Sequence, residues 1–460
     1  MKKLIIFICS LTIILSSLVL PASAQNYLDS VQNGDVNLNC EVDLLISLDD
    51  GSVIVEKNAD KPFAPASLTK VMTALVVLRS TDDYNRIITV SPEALESIAG
   101  TGSSTSGIKS GEQLSLYNML CALLIPSGND AAAALAIEFG GTIEGFVKMM
   151  NDTAKELGCT NTHFDNPHGL DTPTHLTTAN DLAIIAKEAL KYSVFQNIVS
   201  FVTYTMPATN MNKERKLVNT NSVINPAYVS YYNKSVKGIK TGSTENAGKC
   251  LISYASKNGY NYLAVTMGGD YRDSDGDNIE ENQAFMDTNH MYNWAFKNLR
   301  YEIVTREGQF VCSAPLNYCW DMESVRLVAL NEVMALVPQG NNEESVRFVP
   351  IDMPESIDAP VKKGDKICKA KIMFADQQIG TADLVIAEDA NMSVLLYAMA
   401  MVKRVTSKTI FKIIFVVVAI LIVAYIAAFI VINKRRRKAR ELKIIKYNEL
   451  HRNTQQNKKK

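Results

Sequence analysis

The stretch Pro65-Ala66-Ser67-Leu68-Thr69-Lys70-Val71-Met72 decides how the rest of the chain is read. Apolar residues recur at Leu68, Val71, Met72, Leu75 and Leu78, the 3.6-residue period of a helix face, and Pro65 stands just before the start. Ser67 and Lys70 are therefore one turn apart on the same face, close enough for an amine to take a hydroxyl proton. A serine is a poor nucleophile at its free pKa and needs such a base. Ser-x-x-Lys also occurs by chance at exposed helix starts, so its weight depends on the company it keeps elsewhere in the chain.

Working outward, Val42 to Ser47 and Val53 to Glu56 flank Asp49-Asp50-Gly51 and predict a β-hairpin leading into the Ser67 helix. Behind the helix, Gly100 to Gly107 is a loop of small residues, a type that serves as a linker or borders a cleft. From Leu114 to Gly140 the pattern is helical, broken by Ile125-Pro126-Ser127-Gly128-Asn129-Asp130, which puts Ser127 and Asn129 on a turn between two helices. A further amphipathic helix is expected from Asp181 to Tyr192. Val236 to Thr244, containing Lys240-Thr241-Gly242-Ser243, predicts a strand beside a hairpin made by Cys250 to Ala255 and Tyr260 to Met267. Gly242 on such a strand allows another backbone to approach closely. A helix from Phe285 to Asn298 ends this region, and beyond Tyr301 short alternating runs separated by turns, Gly340-Asn341-Asn342 among them, describe a small all-β domain.

Metal chemistry finds little support. His163, His168 and His175 lie in a loop interrupted by Pro167 and Pro173, without the spacing of helical zinc ligands. The acidic loop from Asp270 to Glu281 places Tyr271 and Asn282 where a calcium loop needs its first and last ligands, and reads as a solvated loop. Seven cysteines beyond Cys9 form no Cys-x-x-Cys pair and no disulfide framework; Cys312 and Cys319 alone are placed to pair locally.

The two ends of the chain set its compartment. Lys2 and Lys3, an apolar run from Leu4 to Leu20 and Ala22-Ser23-Ala24 make a secretory signal peptide cut before Gln25; the same run could serve as an uncleaved anchor, against which the small-residue site argues. Ile413 to Ile432 is twenty residues without a charge, ~30 Å as a helix, and Lys434-Arg435-Arg436-Arg437-Lys438 comes at once after it. The positive-inside rule puts the tail in the cytoplasm and the body outside. Setting aside Lys2, Lys3 and the tail's twelve cations with its Glu441 and Glu449 leaves 33 basic against 46 acidic residues in between, so the acidic body and the basic tail are expected to face different compartments. No nucleic-acid partner is expected.

Ser67-x-x-Lys70, Ser127-x-Asn129 and Lys240-Thr241-Gly242 together supply what acyl transfer requires: a nucleophile with its base, a proton relay, a hold on the substrate amide and donors for an oxyanion. With these motifs, and with Phe164-Asp165-Asn166-Pro167-His168-Gly169-Leu170 and Ala359-Pro360-Val361-Lys362-Lys363-Gly364, the chain from Val42 to Ile386 resembles the low-molecular-mass penicillin-binding proteins, serine-type D-alanyl-D-alanine carboxypeptidases. The resemblance implies a mixed α/β (α+β) fold, a DD-peptidase/β-lactamase-like domain with an antiparallel sheet and a helical lobe. It implies that Ser67 is acylated by peptidoglycan stem peptides and by β-lactams, that Lys70 is the base, and that Ser127 relays the proton. Asn129 then holds the substrate backbone, Lys240, Thr241 and Gly242 form the strand that binds its terminal carboxylate, and the N–H groups of Ser67 and Ser243 make the oxyanion hole. Relatives often carry a histidine where Ser243 stands, which leaves the detail of deacylation open.

The resemblance implies neither metal nor other cofactor. Where many relatives attach through a C-terminal amphipathic helix, this chain is expected to span the bilayer once. The expected organisation is a signal peptide (1–24), a catalytic domain (25–300), an all-β domain (301–391), a juxtamembrane stretch (392–412), a transmembrane helix (413–432) and a basic tail (433–460). A DD-endopeptidase is the alternative for the same site. A β-lactamase is disfavoured because no Glu-x-x-x-Asn element separates the second and third motifs. A signalling receptor is disfavoured because a 28-residue tail is too short for a folded domain.

Overall fold

Asp49-Asp50-Gly51 interrupts two runs of β-branched and apolar residues, and Gly51 supplies the left-handed φ of +78° that a tight turn needs. The hairpin pairs β1 (Val42–Ser47) with β2 (Val53–Lys57). After a long helical excursion the chain returns as β3 (Val236–Thr244), β4 (Gly248–Lys257) and β5 (Tyr260–Gly269). In this computed structural model, which describes residues 38–273, 279–339, 346–374 and 377–457, the five strands form one antiparallel sheet in the order β2-β1-β5-β4-β3. Val42 faces Met267 across the junction of the two hairpins. The expected signal peptide, the Gly340-Asn341-Asn342 turn and the middle of the acidic loop lie outside the described residues.

Between β2 and β3 run α1 (Thr69–Ser80), α2 (Leu116–Leu124), α3 (Asn129–Gly140), α4 (Ile143–Glu156), α5 (Ala179–Ala189) and α6 (Ser193–Ser200); α7 (Gln283–Asn298) comes after β5. Strand side chains alternate between faces, and here both faces are covered. Val42, Leu44, Ile239, Ile252, Leu263 and Val265 join the core that holds α1 to α6, while Leu45, Leu251, Tyr262 and Ala264 pack with Ala284, Phe285, Met291 and Tyr292 of α7. The α1 helix is buried all round from Thr69 to Leu78, so its periodic stripe understates its burial. Truncating one of its core side chains, such as Leu75, costs about 2–5 kcal/mol.

The far face is pinned by Asp287, whose Oδ2 accepts from the backbone N–H groups of Asn39 and Cys40 at 2.7 and 2.6 Å. Asp43 is buried nearby, with Lys57 Nζ 3.8 Å from its Oδ2. Burial raises the pKa of both carboxyls, and for Asp43 the Asp287 charge adds to it.

The chain divides into two compact units. The first holds the chain up to Val304 with Val333–Val349 and Lys371–Thr381; the second holds Thr305–Glu332, Pro350–Ala370 and Ala382–Lys460. In the second unit, strand Phe310–Asn317 pairs antiparallel with Ser324–Ala329, which in turn pairs residues 327–329 with 384–386, and residues 316–317 run parallel to 357–358. The local pairing left open for Cys312 and Cys319 does not occur, and all seven described cysteines are free. Cys312 lies on a strand that continues to Asn317, and the rise along it, ~3.3 Å per residue, carries the two thiols beyond bridging reach.

Ser393 caps helix α8 (Val394–Ser407), and α9 (Thr409–Asn457) contains the one described helix long and apolar enough to cross a membrane. The expected transmembrane stretch and most of the basic tail form a single unbroken helix.

Candidate active site

Ser67 sits in a single 3₁₀ turn, Ala66–Leu68, that runs directly into α1. Lys70 lies on the first turn of α1, and its Nζ is 2.8 Å from Ser67 Oγ. The same amine donates to the carbonyl of His168 at 2.7 Å. Lys70 is wholly buried, and its pKa is held well below the usual lysine range; burial is the main cause, the Lys240 ammonium adds to it and the Asp130 carboxylate opposes it. A neutral amine has one lone pair left for the Ser67 proton while it donates to His168 O.

The turn that presents Ser67 is strained. Ala66 has φ of +47°, a left-handed conformation that costs a residue with a Cβ about 1–2 kcal/mol. Three contacts in series hold it. The Asp165 N–H donates to His175 Nδ1 at 2.9 Å, which leaves the proton of a neutral imidazole on Nε2. Nε2 then donates to Thr69 Oγ1 at 2.8 Å, and that hydroxyl donates to the Ala66 carbonyl, also at 2.8 Å. Burial pushes the His175 pKa down to about 4, so the neutral tautomer is the resting form. His168 is likewise kept neutral, pushed down to about 3 by burial and the nearby Lys70. The third histidine, His163, faces Asp165 with Nε2 3.1 Å from Oδ1 at a more exposed position. The three rings thus serve the loop's architecture. The one cluster of metal-ligand type among the described residues is Cys40, Asp43 and Asp287, in which Lys57 already supplies a cation beside Asp43.

Ser127 is held at φ +65° on the turn between α2 and α3, nearly buried, and its Oγ has no hydrogen-bond partner among the described residues. Asn129 begins α3, and its N–H donates to Ser104 O at 2.8 Å. That contact belongs to a larger clasp around Asp130, whose carboxylate accepts from Ser106 N at 2.8 and 2.9 Å, Ser106 Oγ at 3.0 Å and Ile108 N at 3.0 Å. The small-residue loop is therefore pinned to the start of α3 and carries Ser104 to the cleft. Asp130 was visible in sequence only as a neighbour of Ser127 and Asn129; its place in the first turn of a helix, where a carboxylate is favoured, is the one signal that could have marked it.

Strand β3 forms the opposite wall. Gly242 comes so close to the Ser67 turn that a Cβ there would lie 3.1 Å from both Ala66 Cβ and Pro65 O. Thr241 Oγ1 is 2.5 Å from the hydroxyl of Thr220, a cleft residue that no motif announced. Lys240 is 1% exposed; its Nζ donates to Thr241 O at 2.9 Å, and burial pushes its pKa down to about 7. Ser243 lies directly across the ladder from Lys249. The resulting cleft, of about 270 Å³, is lined by the hydroxyl residues Ser67, Ser104, Ser127, Thr220, Ser222, Thr241 and Ser243, with Lys249, Tyr271, Asn282 and Phe285 also in its wall. Of the residues expected at the site, Ser67, Ser127, Thr241, Gly242 and Ser243 line this cleft, and Lys70, Asn129 and Lys240 are nearly wholly buried. A hydroxyl-rich cleft that ends on a serine with an adjacent neutral amine can bind an extended peptide and accept its acyl group.

Residues 310–391 match the model of the penicillin-binding protein 5 C-terminal domain. The chain is 32% identical over 326 residues to the D-alanyl-D-alanine carboxypeptidase DacF of Bacillus subtilis, an alignment that covers 70% of this chain and 79% of that one. The crystal structure of penicillin-binding protein 5 from Haemophilus influenzae superposes with a TM-score of 0.56 at 26% identity, covering 77% of this chain and 98% of the other. The fold is shared too with the D-alanyl-D-alanine carboxypeptidase DacD from Francisella tularensis, at a TM-score of 0.62 and 22% identity, over 78% of this chain and 95% of that one. Residues 29–271, more than half of the chain, match the model of the D-alanyl-D-alanine carboxypeptidase peptidases, and the chain belongs to that family of serine peptidases.

Proposed function

We propose that this protein removes the terminal D-alanine from peptidoglycan stem pentapeptides, with Ser67 as nucleophile and Lys70 as base. The observation that carries the proposal is the 2.8 Å contact between Lys70 Nζ and Ser67 Oγ, made by a buried amine whose pKa is depressed. Lys70 takes the Ser67 proton as Oγ attacks the carbonyl between the last two D-alanines. The oxyanion is met by the N–H groups of Ser67 and Ser243, donors that need no reorganisation because the strained turn and β3 already hold them. Ser127, with a buried and unpartnered Oγ, passes the proton to the departing amine, and D-alanine leaves. Water then releases the shortened peptide and restores the serine. Asn129 holds the peptide backbone, while Thr241, with Lys240 behind it and Gly242 beside it, receives the terminal carboxylate. β-Lactams acylate the same Oγ and block it.

The cleft belongs to the outer face of a bacterial cell membrane in this reading. The N-terminal signal peptide exports the body, α9 crosses the bilayer, and the basic tail after Ile432 stays in the cytoplasm. The domain boundaries proposed are 25–300 for the catalytic part and 301–391 for the all-β part; the two family models cover 29–271 and 310–391.

The test is intact-protein mass spectrometry of the detergent-solubilised chain with penicillin, and separately with a pentapeptide ending in D-Ala-D-Ala. The expected result is one penicillin adduct on Ser67, absent from Ser67→Ala, and loss of a single alanine from the pentapeptide. An adduct without peptide turnover would favour the endopeptidase alternative, and failure to form any adduct would sink the proposal.

A further inference from the structure

Lys249 is the accessible positive charge of the cleft, and its surroundings leave it without a counter-ion among the described residues. It sits on β4 directly opposite Ser243, donates to Ser243 Oγ at 3.1 Å, and its Nζ lies 4.6 Å from the centroid of the Tyr271 ring. Both partners are neutral, so they orient the ammonium without cancelling its charge. Neighbouring carboxylates are engaged elsewhere. Asp171 is tied to Thr244 Oγ1 at 2.9 Å and Asp270 pairs with Arg272 at 3.0 Å, and neither forms an ion pair with Lys249. A partly buried cation with no ion-pair partner among the described residues, on the wall of a peptide-sized cleft, is arranged for an anionic group of the ligand.

Its place along β3 says which part of the ligand that is. Thr241 and Ser243 point to the same side of the strand, ~7 Å apart. With the terminal carboxylate at Thr241, a peptide laid along β3 has its acyl side at Ser243 and Lys249. We propose that Lys249, braced by Ser243 and Tyr271, recognises a free carboxylate carried by a residue on the acyl side of the stem peptide, and so selects peptides whose diamino acid keeps that carboxylate unamidated. The inference rests on the carboxypeptidase reading and adds the substrate class to it.

The experiment compares release of D-alanine from two pentapeptides that differ only in the third residue, one a diamino acid with a free side-chain carboxylate and the other the same residue amidated. It uses the full-length protein in detergent and the variants Lys249→Met and Lys249→Arg. The wild-type protein is expected to favour the carboxylate peptide in kcat/KM, mostly through KM. In Lys249→Met that preference falls about two- to fivefold, the size of one ion pair at a solvent-accessible site, and Lys249→Arg keeps most of it. An equal loss of kcat/KM for both peptides in Lys249→Met would assign Lys249 to the terminal carboxylate that both share and overturn the proposal. So would an unchanged preference. Penicillin acylation of Ser67, run on the same samples, separates the two levels: its absence in the wild-type protein counts against the carboxypeptidase itself, and its retention in the variants shows that they are folded.

Discussion

In the proposed reaction Lys70 is the residue that makes a weak nucleophile usable. Burial removes the water that would stabilise an ammonium, and the Lys240 charge disfavours it further. Protonated Lys70 cannot take the Ser67 proton, so acylation is lost as pH falls through its depressed pKa. Replacing Lys240 with glutamine deletes one of the two depressing causes, raises the Lys70 pKa and moves the acid limb of the profile to higher pH. The shift restores only part of the ordinary lysine value, because burial is the larger cause. It is confined to the acid side, since burial brings Lys240 itself to about 7 and its charge fades above that. The second-order rate constant for acylation by a chromogenic β-lactam, measured between about pH 5 and pH 9 in wild-type and Lys240→Gln protein, checks this. A limb that stays where it was would mean that Lys240 exerts no charge on Lys70. The same shift carries a stability cost. An unfolded chain takes a proton on Lys70 up to a pH of about 10.4 that the folded chain refuses, so this residue penalises folding at neutral pH, and the penalty is relieved as pH rises toward that value.

At the scale of elements, the site exists because three segments remote in sequence meet at the Ala66–Leu68 turn, and glycines set how closely they can meet. A Cβ at Gly169 would lie 1.8 Å from Ala66 O and 3.0 Å from Ser67 N, and the residue's φ of +92° is itself unsuited to alanine. Gly242 is less extreme, with its nearest contacts at 3.1 Å. Gly169→Ala is therefore expected to displace the Ser67 N–H, to lower the acylation rate by 100-fold or more, and to cost about 2–4 kcal/mol in denaturant unfolding. Gly242→Ala should cost no more than about 1–2 kcal/mol and retain measurable acylation. Equal effects in the two variants would contradict this ordering. The close approach at Gly242 was legible in the sequence because it falls on a recognisable strand. The one at Gly169 was not, since its partner lies about a hundred residues away across an irregular loop. The Asp130 clasp and the His175 relay escaped for the same reason, each joining polar groups of separate segments through contacts that have no period to detect. Thr220 was hidden more completely, as a loop residue defined only by its neighbour Thr241.

For the whole molecule, the sequence made legible what periodicity and charge encode: the two sheet hairpins, the helix beside Ser67, the alternating strands beyond Tyr301 and the apolar span before the basic tail. The attachment to membrane can be argued from that last feature. Fifteen of the twenty residues from Ile413 to Ile432 are Ile, Val, Leu or Phe, each worth about 0.3–0.6 kcal/mol toward insertion at mid-membrane, or about 5–9 kcal/mol together. None of this stretch is buried against protein. Helix α8, just before it, exposes Val394, Leu395, Met399, Val402 and Val405 but carries Lys403 and Arg404 among them, a pattern that suits the membrane surface and binds reversibly. The two helices therefore predict different strengths of attachment. The full chain should stay with membranes through an alkaline carbonate wash, whereas a chain ending at Ser407 should be released by it and yet form the Ser67 penicillin adduct at the full-length rate. Retention of the shortened chain after the wash would show that α8 or the body holds the membrane by itself, and loss of acylation on shortening would show that the cleft depends on the anchor.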